Sequence, residues 1–196
     1  KNIPSEAGLG GGSSDAGFFL KLLNEHYGNV YNEKELEELE MKVGSDVPFF
    51  IKNKTARVGG KGNKVELVEN NLKDSLILVK PLGFGVSTKD AYNSFDELDE
   101  VRYSNFEKII ECLRNNNRKD LEKYIENSLE QGISERNTDI KMFKAILNSV
   151  VPGKKFFMSG SGSTYYTFVT EIERSQIETR LRTFVDNVKI IISKTI

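Results

Sequence analysis

Gly8-Leu9-Gly10-Gly11-Gly12-Ser13-Ser14-Asp15-Ala16 stands near the front of the chain and runs straight into a stretch of helical periodicity. Glycines let a backbone turn tightly and approach an anion with no Cβ in the way. A helix that follows them points its unpaired N–H groups and the positive end of its dipole back at the loop. Together these make a phosphate cradle, to which the Ser13 and Ser14 hydroxyls can add ligands for phosphate or Mg2+. Gly11 is read as a position needing both positive φ and the absence of a side chain. No Gly-Lys-Ser/Thr follows, so this is not a Walker loop, and the glycine spacing is not that of the dinucleotide fingerprint. The alternative is a flexible linker ahead of a helix capped by Ser13. Gly8, Gly10, Gly11 and Gly12 feeding directly into an amphipathic helix argue against it.

Working outward, Ala16, Phe19, Leu20, Leu23 and Tyr27 recur at helical spacing and predict a helix over 13–27, closed by Gly28. Asn32 can cap a second helix, Glu33–Val43, with Leu36, Leu39 and Val43 as its apolar stripe. Gly44-Ser45-Asp46-Val47-Pro48-Phe49-Phe50 interrupts the pattern. Residues 55–58 and 64–68 read as a hairpin around Gly59-Gly60-Lys61-Gly62. Polar residues 69–74 are the best boundary, giving domains of 1–72 and 73–196. The second opens with a buried-type strand, 75–80, and a glycine-rich turn. Three helical segments follow, marked by Phe106, Ile109, Ile110 and Leu113, by Leu121, Tyr124 and Ile125, and by Phe143, Ile146, Leu147 and Val150. Then come strand 155–158, a Ser-Gly turn, strand 164–169, helix Glu171–Phe184 and strand 188–192. With each helical run collapsed, the order is β-α-β-β-α-β, the ferredoxin-like arrangement. The fold class is α+β.

Composition sets the limits. The 196 residues are 38% hydrophobic and 29% charged with a formal net charge of −1, an ordinary globular balance. No field of one sign argues for nucleic acid or an anionic membrane as partner. Cys112 is the single cysteine, which excludes a disulfide framework and a multi-cysteine zinc site and fits a reducing, cytoplasmic setting. The apolar runs at 75–79 and 188–192 are strand-sized and too short to span a bilayer. The acidic run 33–40 is read as a solvated helix face. The chain opens at Lys1-Asn2-Ile3-Pro4, with no methionine and no strand ahead of the loop, which we read as the front of a longer protein being absent.

Two further places invite a functional reading, and two single residues are weighed beside them. Asp46 heads an apolar, proline-stiffened segment, where a carboxylate can accept a proton from a substrate hydroxyl; it can equally be a plain helix cap. Ser159-Gly160-Ser161-Gly162-Ser163 lies between two strands and reads first as a hairpin turn, second as a backbone wall against phosphates. His26, the only histidine, sits at a helix end and is read as structural, as is Cys112 beside Leu113.

The glycine loop, the Asp-Val-Pro segment and the Ser-Gly turn, in this order, resemble the GHMP kinases, the family of galactokinase, homoserine kinase and mevalonate kinase. The resemblance covers the whole chain. It implies a two-domain fold: part of a ribosomal-S5-domain-2-like N-terminal domain, then a ferredoxin-like C-terminal domain. It implies an ATP- and Mg2+-dependent small-molecule kinase. The branch most similar acts on a cytidine diphosphate alcohol in non-mevalonate isoprenoid precursor synthesis; a homoserine- or mevalonate-type kinase and a non-catalytic nucleotide-binding fragment are the alternatives. By this resemblance Pro4, Ser5, Glu6, Ala7, Gly8, Leu9, Gly10, Gly11, Gly12, Ser13 and Ser14 wrap the ATP phosphates. Asp46 becomes the catalytic carboxylate. Thr88 and Tyr92, within Gly85-Val86-Ser87-Thr88-Lys89-Asp90-Ala91-Tyr92, line the cytidine side, Tyr92 stacking on the base, while Gly160 and Ser161 close the substrate side. The family also has a lysine near its N-terminus that would pair with Asp46. Lys1, only three residues before Pro4, is not that lysine, so activity is expected of the parent enzyme and not of these 196 residues alone.

Overall fold

The computed structural model describes residues 3–195, so Lys1 lies outside the described residues. The chain divides into two compact units: Gly10–Asn70, and the residues up to Leu9 together with Asn71–Thr195. No described helix is long and apolar enough to cross a membrane.

The unit Gly10–Asn70 contains α1 (Gly11–His26), α2 (Glu33–Val43), α3 (Val47–Lys52) and the hairpin β1 (Ala56–Gly59) and β2 (Lys64–Leu67). Helix α2 has the bounds read from the sequence because its cap is reciprocal. Asn32 accepts from the N–H groups of Lys34 and Glu35, and the Glu35 carboxylate accepts from the Asn32 N–H at 2.9 Å. The segment 44–50 does not merely interrupt the helices, for Val47 starts a third. A Cβ on Gly17 of α1 would stand 2.8 Å from Ile51, so the missing side chain is what lets α3 lie close against α1. The hairpin pairs Ala56 with Leu67 and Gly59 with Lys64.

The larger unit follows the chain through β3 (Ser75–Pro81), α4 (Thr88–Asp96), α5 (Phe106–Arg114), α6 (Arg118–Tyr124), α7 (Ser128–Arg136), α8 (Thr138–Val150), β4 (Phe157–Met158), β5 (Tyr165–Val169), α9 (Glu171–Phe184) and β6 (Val188–Lys194). Its four strands form one antiparallel sheet in the order β4-β5-β3-β6. Each helical crossover therefore joins strands with a third strand between them, the split arrangement expected of a ferredoxin-like sheet. Alternation along β3 serves two cores. Ile77 and Val79 pack with Ile140, Leu147, Tyr165, Val169 and Leu181, while Leu76 packs on the other side with Cys112, Leu121, Phe157 and Phe168. Burying each such side chain stabilises the unit by roughly 1.5–3 kcal/mol.

Three readings change. Five helices, not three, lie between β3 and β4. The two missed are α4 and α7, which meet closely, since a Cβ on Gly132 would fall 2.6 Å from the Ser94 backbone, and which give the core only short apolar sets, Ala91 from α4 and Leu129 and Ile133 from α7. Strand β4 is two residues long rather than four, since only Phe157 and Met158 pair with β5. Residues 3–9, expected with the first domain, cluster with Asn71–Thr195, where Ala7 is 3% exposed.

Candidate active site

Two of the sequence-marked segments fall in the unit Gly10–Asn70. Gly10 is the N-cap of α1, with φ 62° and ψ 22°, and has no side chain to cap with. The Ser14 N–H donates to the Gly10 carbonyl at 2.9 Å and Ser14 Oγ donates to the Gly11 carbonyl at 3.0 Å. The N–H groups of Gly11, Gly12 and Ser13 precede the first intrahelical bond, so they point out of the helix start with the dipole behind them. Space is open where Gly12 would carry a Cβ, and the Ser13 hydroxyl makes no hydrogen bond among the described residues. These features fit a phosphate ligand, and the helix-cap reading of Ser13 fails because Gly10 holds the cap position. The reading of Gly11 also changes: it is the first residue of the helix, outside the positive-φ set, and Gly8 and Gly10 are the positions that require glycine. A Cβ on Gly10 would meet the Phe50 ring at 2.0 Å, so α3 lies directly under the loop residue.

Asp46 occupies the N-cap position of α3 at φ −91° and ψ −11°, yet its side chain accepts no capping hydrogen bond. Its side chain is exposed. The backbone beside it is fixed: a Cβ on Gly62 of the hairpin turn would stand 1.9 Å from the Ser45 carbonyl oxygen. A carboxylate held on a packed backbone, and not used by the helix it begins, is available to a ligand.

In the larger unit, residues 4–9 lie against the Ser-Gly turn. Gly8 has φ 66°, and a Cβ there would fall 1.9 Å from the Ser159 carbonyl oxygen. Ser159 Oγ donates to the Gly8 carbonyl at 2.8 Å, and a Cβ on Gly160 would come to 3.0 Å of that oxygen. The turn between β4 and β5 is thus a hairpin closed by the Ser159 N–H donating to Thr164 O at 2.9 Å, and at the same time a wall behind Gly8. Thr88 Oγ1 and Ser161 Oγ meet at 3.3 Å. Thr88 opens α4, whose Ser87 cap accepts from the Asp90 N–H at 3.0 Å, and Tyr92 follows one turn later, 54% exposed. In the same loop Pro4 is half-buried and Ser5 and Glu6 are exposed, Glu6 at φ 50°.

Sequence reasoning passed over two residues behind this turn. Asn127 caps α7 and donates from Nδ2 to the carbonyls of Met158 and Gly160, each at 2.8 Å. Lys80, 6% exposed, donates from Nζ to Ser163 Oγ at 2.6 Å. Burial pushes the Lys80 ammonium below the usual lysine range, and the Glu6 carboxylate opposes that shift. The signal for Lys80 was a lone lysine inside the buried-type strand Leu78-Val79-Lys80-Pro81. His26 is exposed and stacks edge-on to Tyr27 at 5.1 Å, and Cys112 is buried, with burial raising its thiol. Among the described residues no three His, Cys, Asp or Glu side chains cluster as a metal site. Mg2+ in phosphoryl transfer needs no such cage, being held by one or two carboxylates and by substrate phosphates.

The model of the GHMP kinases N terminal domain matches residues 1–54. The 4-diphosphocytidyl-2-C-methyl-D-erythritol kinase of Fusobacterium nucleatum subsp. nucleatum is 80% identical over 196 residues, 100% of this chain and 67% of that protein. The enzyme of the same name from Clostridium novyi is 38% identical over 177 residues, 90% of this chain and 62% of that protein. The chain thus spans about two thirds of the length of the curated relatives it matches. A crystal structure of 4-(cytidine 5'-diphospho)-2C-methyl-D-erythritol kinase superposes with a TM-score of 0.77 at 26% identity, covering 99% of this chain and 68% of that one. Homoserine kinase from Cytophaga hutchinsonii superposes at 0.72 with 16% identity, over 100% of this chain and 68% of that one, a likeness of fold. With its uncapped phosphate-loop helix, its split antiparallel sheet and four-fifths identity along its whole length, the chain belongs to the 4-diphosphocytidyl-2-C-methyl-D-erythritol kinase family, a branch of the GHMP small-molecule kinases.

Proposed function

We propose that the complete enzyme transfers the γ-phosphoryl group of ATP to the 2-hydroxyl of 4-diphosphocytidyl-2-C-methyl-D-erythritol, in non-mevalonate isoprenoid precursor synthesis. The observation that carries this is the 80% identity over all 196 residues to a kinase so named. In this reading residues 1–72 belong by function to the ATP-binding domain, with 3–9 clustering in the larger compact unit, and 73–196 are the ferredoxin-like GHMP C-terminal domain. Residues 4–14 bind the ATP phosphates: the first-turn N–H groups of α1 and the Ser13 hydroxyl donate toward them. Asp46 orients or deprotonates the acceptor hydroxyl. Thr88, Gly160 and Ser161 hold the acceptor, and Tyr92 offers an exposed ring on which cytosine can stack. Phosphoryl transfer needs no covalent intermediate on the protein, so alignment of the hydroxyl and stabilisation of charge account for catalysis. Mg2+ supplies further charge neutralisation on the phosphates. A cytoplasmic, reducing setting accords with the unpaired, buried Cys112.

The test is ADP release by the complete enzyme with ATP, Mg2+ and, in turn, the cytidine diphosphate alcohol, homoserine and mevalonate. Turnover with the first alone is expected. Preference for either of the others would overturn the substrate assignment, and no turnover with any would favour a nucleotide-binding role without catalysis.

A further inference from the structure

A lysine buried without an ion pair is costly to a fold, and a methionine of similar length would fill the same space without that cost. Lys80 is buried with no carboxylate within salt-bridge distance among the described residues, Glu6 acting on it only from farther away. It sits near the end of the central strand β3, 6% exposed, and its ammonium donates to Ser163 Oγ at 2.6 Å and to the Phe84 carbonyl at 3.3 Å. Phe84 precedes Gly85, against which the Glu6 side chain lies: a Cβ on Gly85 would come to 2.9 Å of Glu6 Oε2. Ser163 follows Gly162, whose backbone N would lie 2.9 Å from a Cβ on Gly8. Of three neighbouring segments in one unit, the run from Phe84 into α4 and the turn 159–163 both bond to the ammonium, and the loop 4–9 lies against these two. Two of them carry Thr88 and Ser161, whose hydroxyls meet at 3.3 Å.

We propose that Lys80 is a positioning residue for the acceptor substrate, holding the turn through Ser163 and the entry to α4 through the Phe84 carbonyl, so that Thr88 and Ser161 present one surface. The inference rests on the reading above in which Thr88, Gly160 and Ser161 hold the acceptor. One ammonium suits this task, since its rotatable N–H donors bond to both segments at once, behind the contact that Thr88 and Ser161 make. The bond to Ser163 is short and charge-assisted, hence the stronger of the two.

The experiment compares Lys80→Met and Ser163→Ala with wild type in the complete enzyme, recording kcat, both KM values and thermal melting. Ser163→Ala keeps the buried ammonium and deletes one contact, so it decides the matter if Lys80→Met fails to fold. Each folded variant is expected to raise the acceptor KM by about tenfold, the loss typical of one hydrogen bond to a charge, with the ATP KM changed by less than about twofold. The double variant should be no worse than Lys80→Met alone, because the two residues act through one contact. Unchanged acceptor KM in Ser163→Ala, or a rise in both KM values together, would overturn the role of Lys80 while leaving the substrate assignment standing. A wild-type enzyme that ignores the cytidine compound would overturn the substrate assignment, and the acceptor role with it.

Discussion

A carboxylate at a helix start ordinarily accepts an N–H from the first turn, and Asp46 does not. Helix capping thus does not account for its place before Val47, and in the reading proposed above it acts on the acceptor hydroxyl. Asp46→Asn in the complete enzyme is expected to lower kcat by about 10²–10⁴-fold with little change in ATP affinity. Turnover within a few-fold of wild type would return Asp46 to a structural role. Gly10 tests the cradle from the other side. Alanine there meets two obstacles, a left-handed backbone that costs about 1–2 kcal/mol and a Phe50 ring 2.0 Å from the new Cβ. Gly10→Ala should therefore lower the melting temperature and weaken ATP binding together, and adding Phe50→Leu should restore part of the stability. Calorimetry and melting curves on the pair would show whether the ring is the obstacle.

At the scale of elements, α9 shows how a helix start is fixed by charge. Thr170 and Glu173 form a capping box, and Lys154 reaches the Glu173 carboxylate at 2.9 Å. Burial alone would raise this carboxyl, but the Thr170 N–H, the Lys154 ammonium and the Thr170 hydroxyl hold it at about 2. A carboxyl whose folded pKa lies below its unfolded value stabilises the fold fully above the unfolded pKa, near 4.5, and loses that contribution as pH falls toward 2. Melting of wild type should therefore decline more steeply than that of Glu173→Gln between pH 4.5 and 2, the two curves running parallel above that window. Parallel curves throughout would mean the cap contributes no pH dependence. Helix α2 is fixed by a box of the same kind, and there both ends were readable, because the Asn32 and Glu35 signal is local. Helices α4 and α7 were unreadable because their contact is made by Gly132 against the Ser94 backbone, a pairing of residues 38 positions apart that no local period encodes.

Across the whole molecule the two units differ in how their sheets are closed. The larger has four strands with apolar clusters on both sides, whereas the smaller has a two-stranded sheet with Val58 and Leu67 exposed. Isolated two-stranded hairpins are marginal in water. Hydrogen exchange on the 196-residue chain should accordingly show strong protection in Ser75–Pro81 and Tyr165–Val169 and weak protection in Ala56–Gly59 and Lys64–Leu67. Equal protection in both sheets would contradict this.

The sequence by itself determined the β-α-β-β-α-β order, the bounds of α2 and α9, and the run of glycines that leads directly into α1. Each of these rests on residues within a turn or a strand of one another: alternation, a capping pair, a cluster of glycines ahead of a helix. It could not say which glycines were under constraint, since that depends on what stands opposite, Ser159 for Gly8 and Phe50 for Gly10. Nor could it separate Asp46 as cap from Asp46 as an available carboxylate, which depends on where one side chain points. The Ser-Gly turn as a wall behind Gly8, Thr88 meeting Ser161, and Lys80 binding Ser163 join residues 73 to 151 positions apart. Only the packing of the sheet and its connections brings such pairs within hydrogen-bond reach, because a hydrogen bond is decided by a few tenths of an ångström in space and leaves no period along the chain.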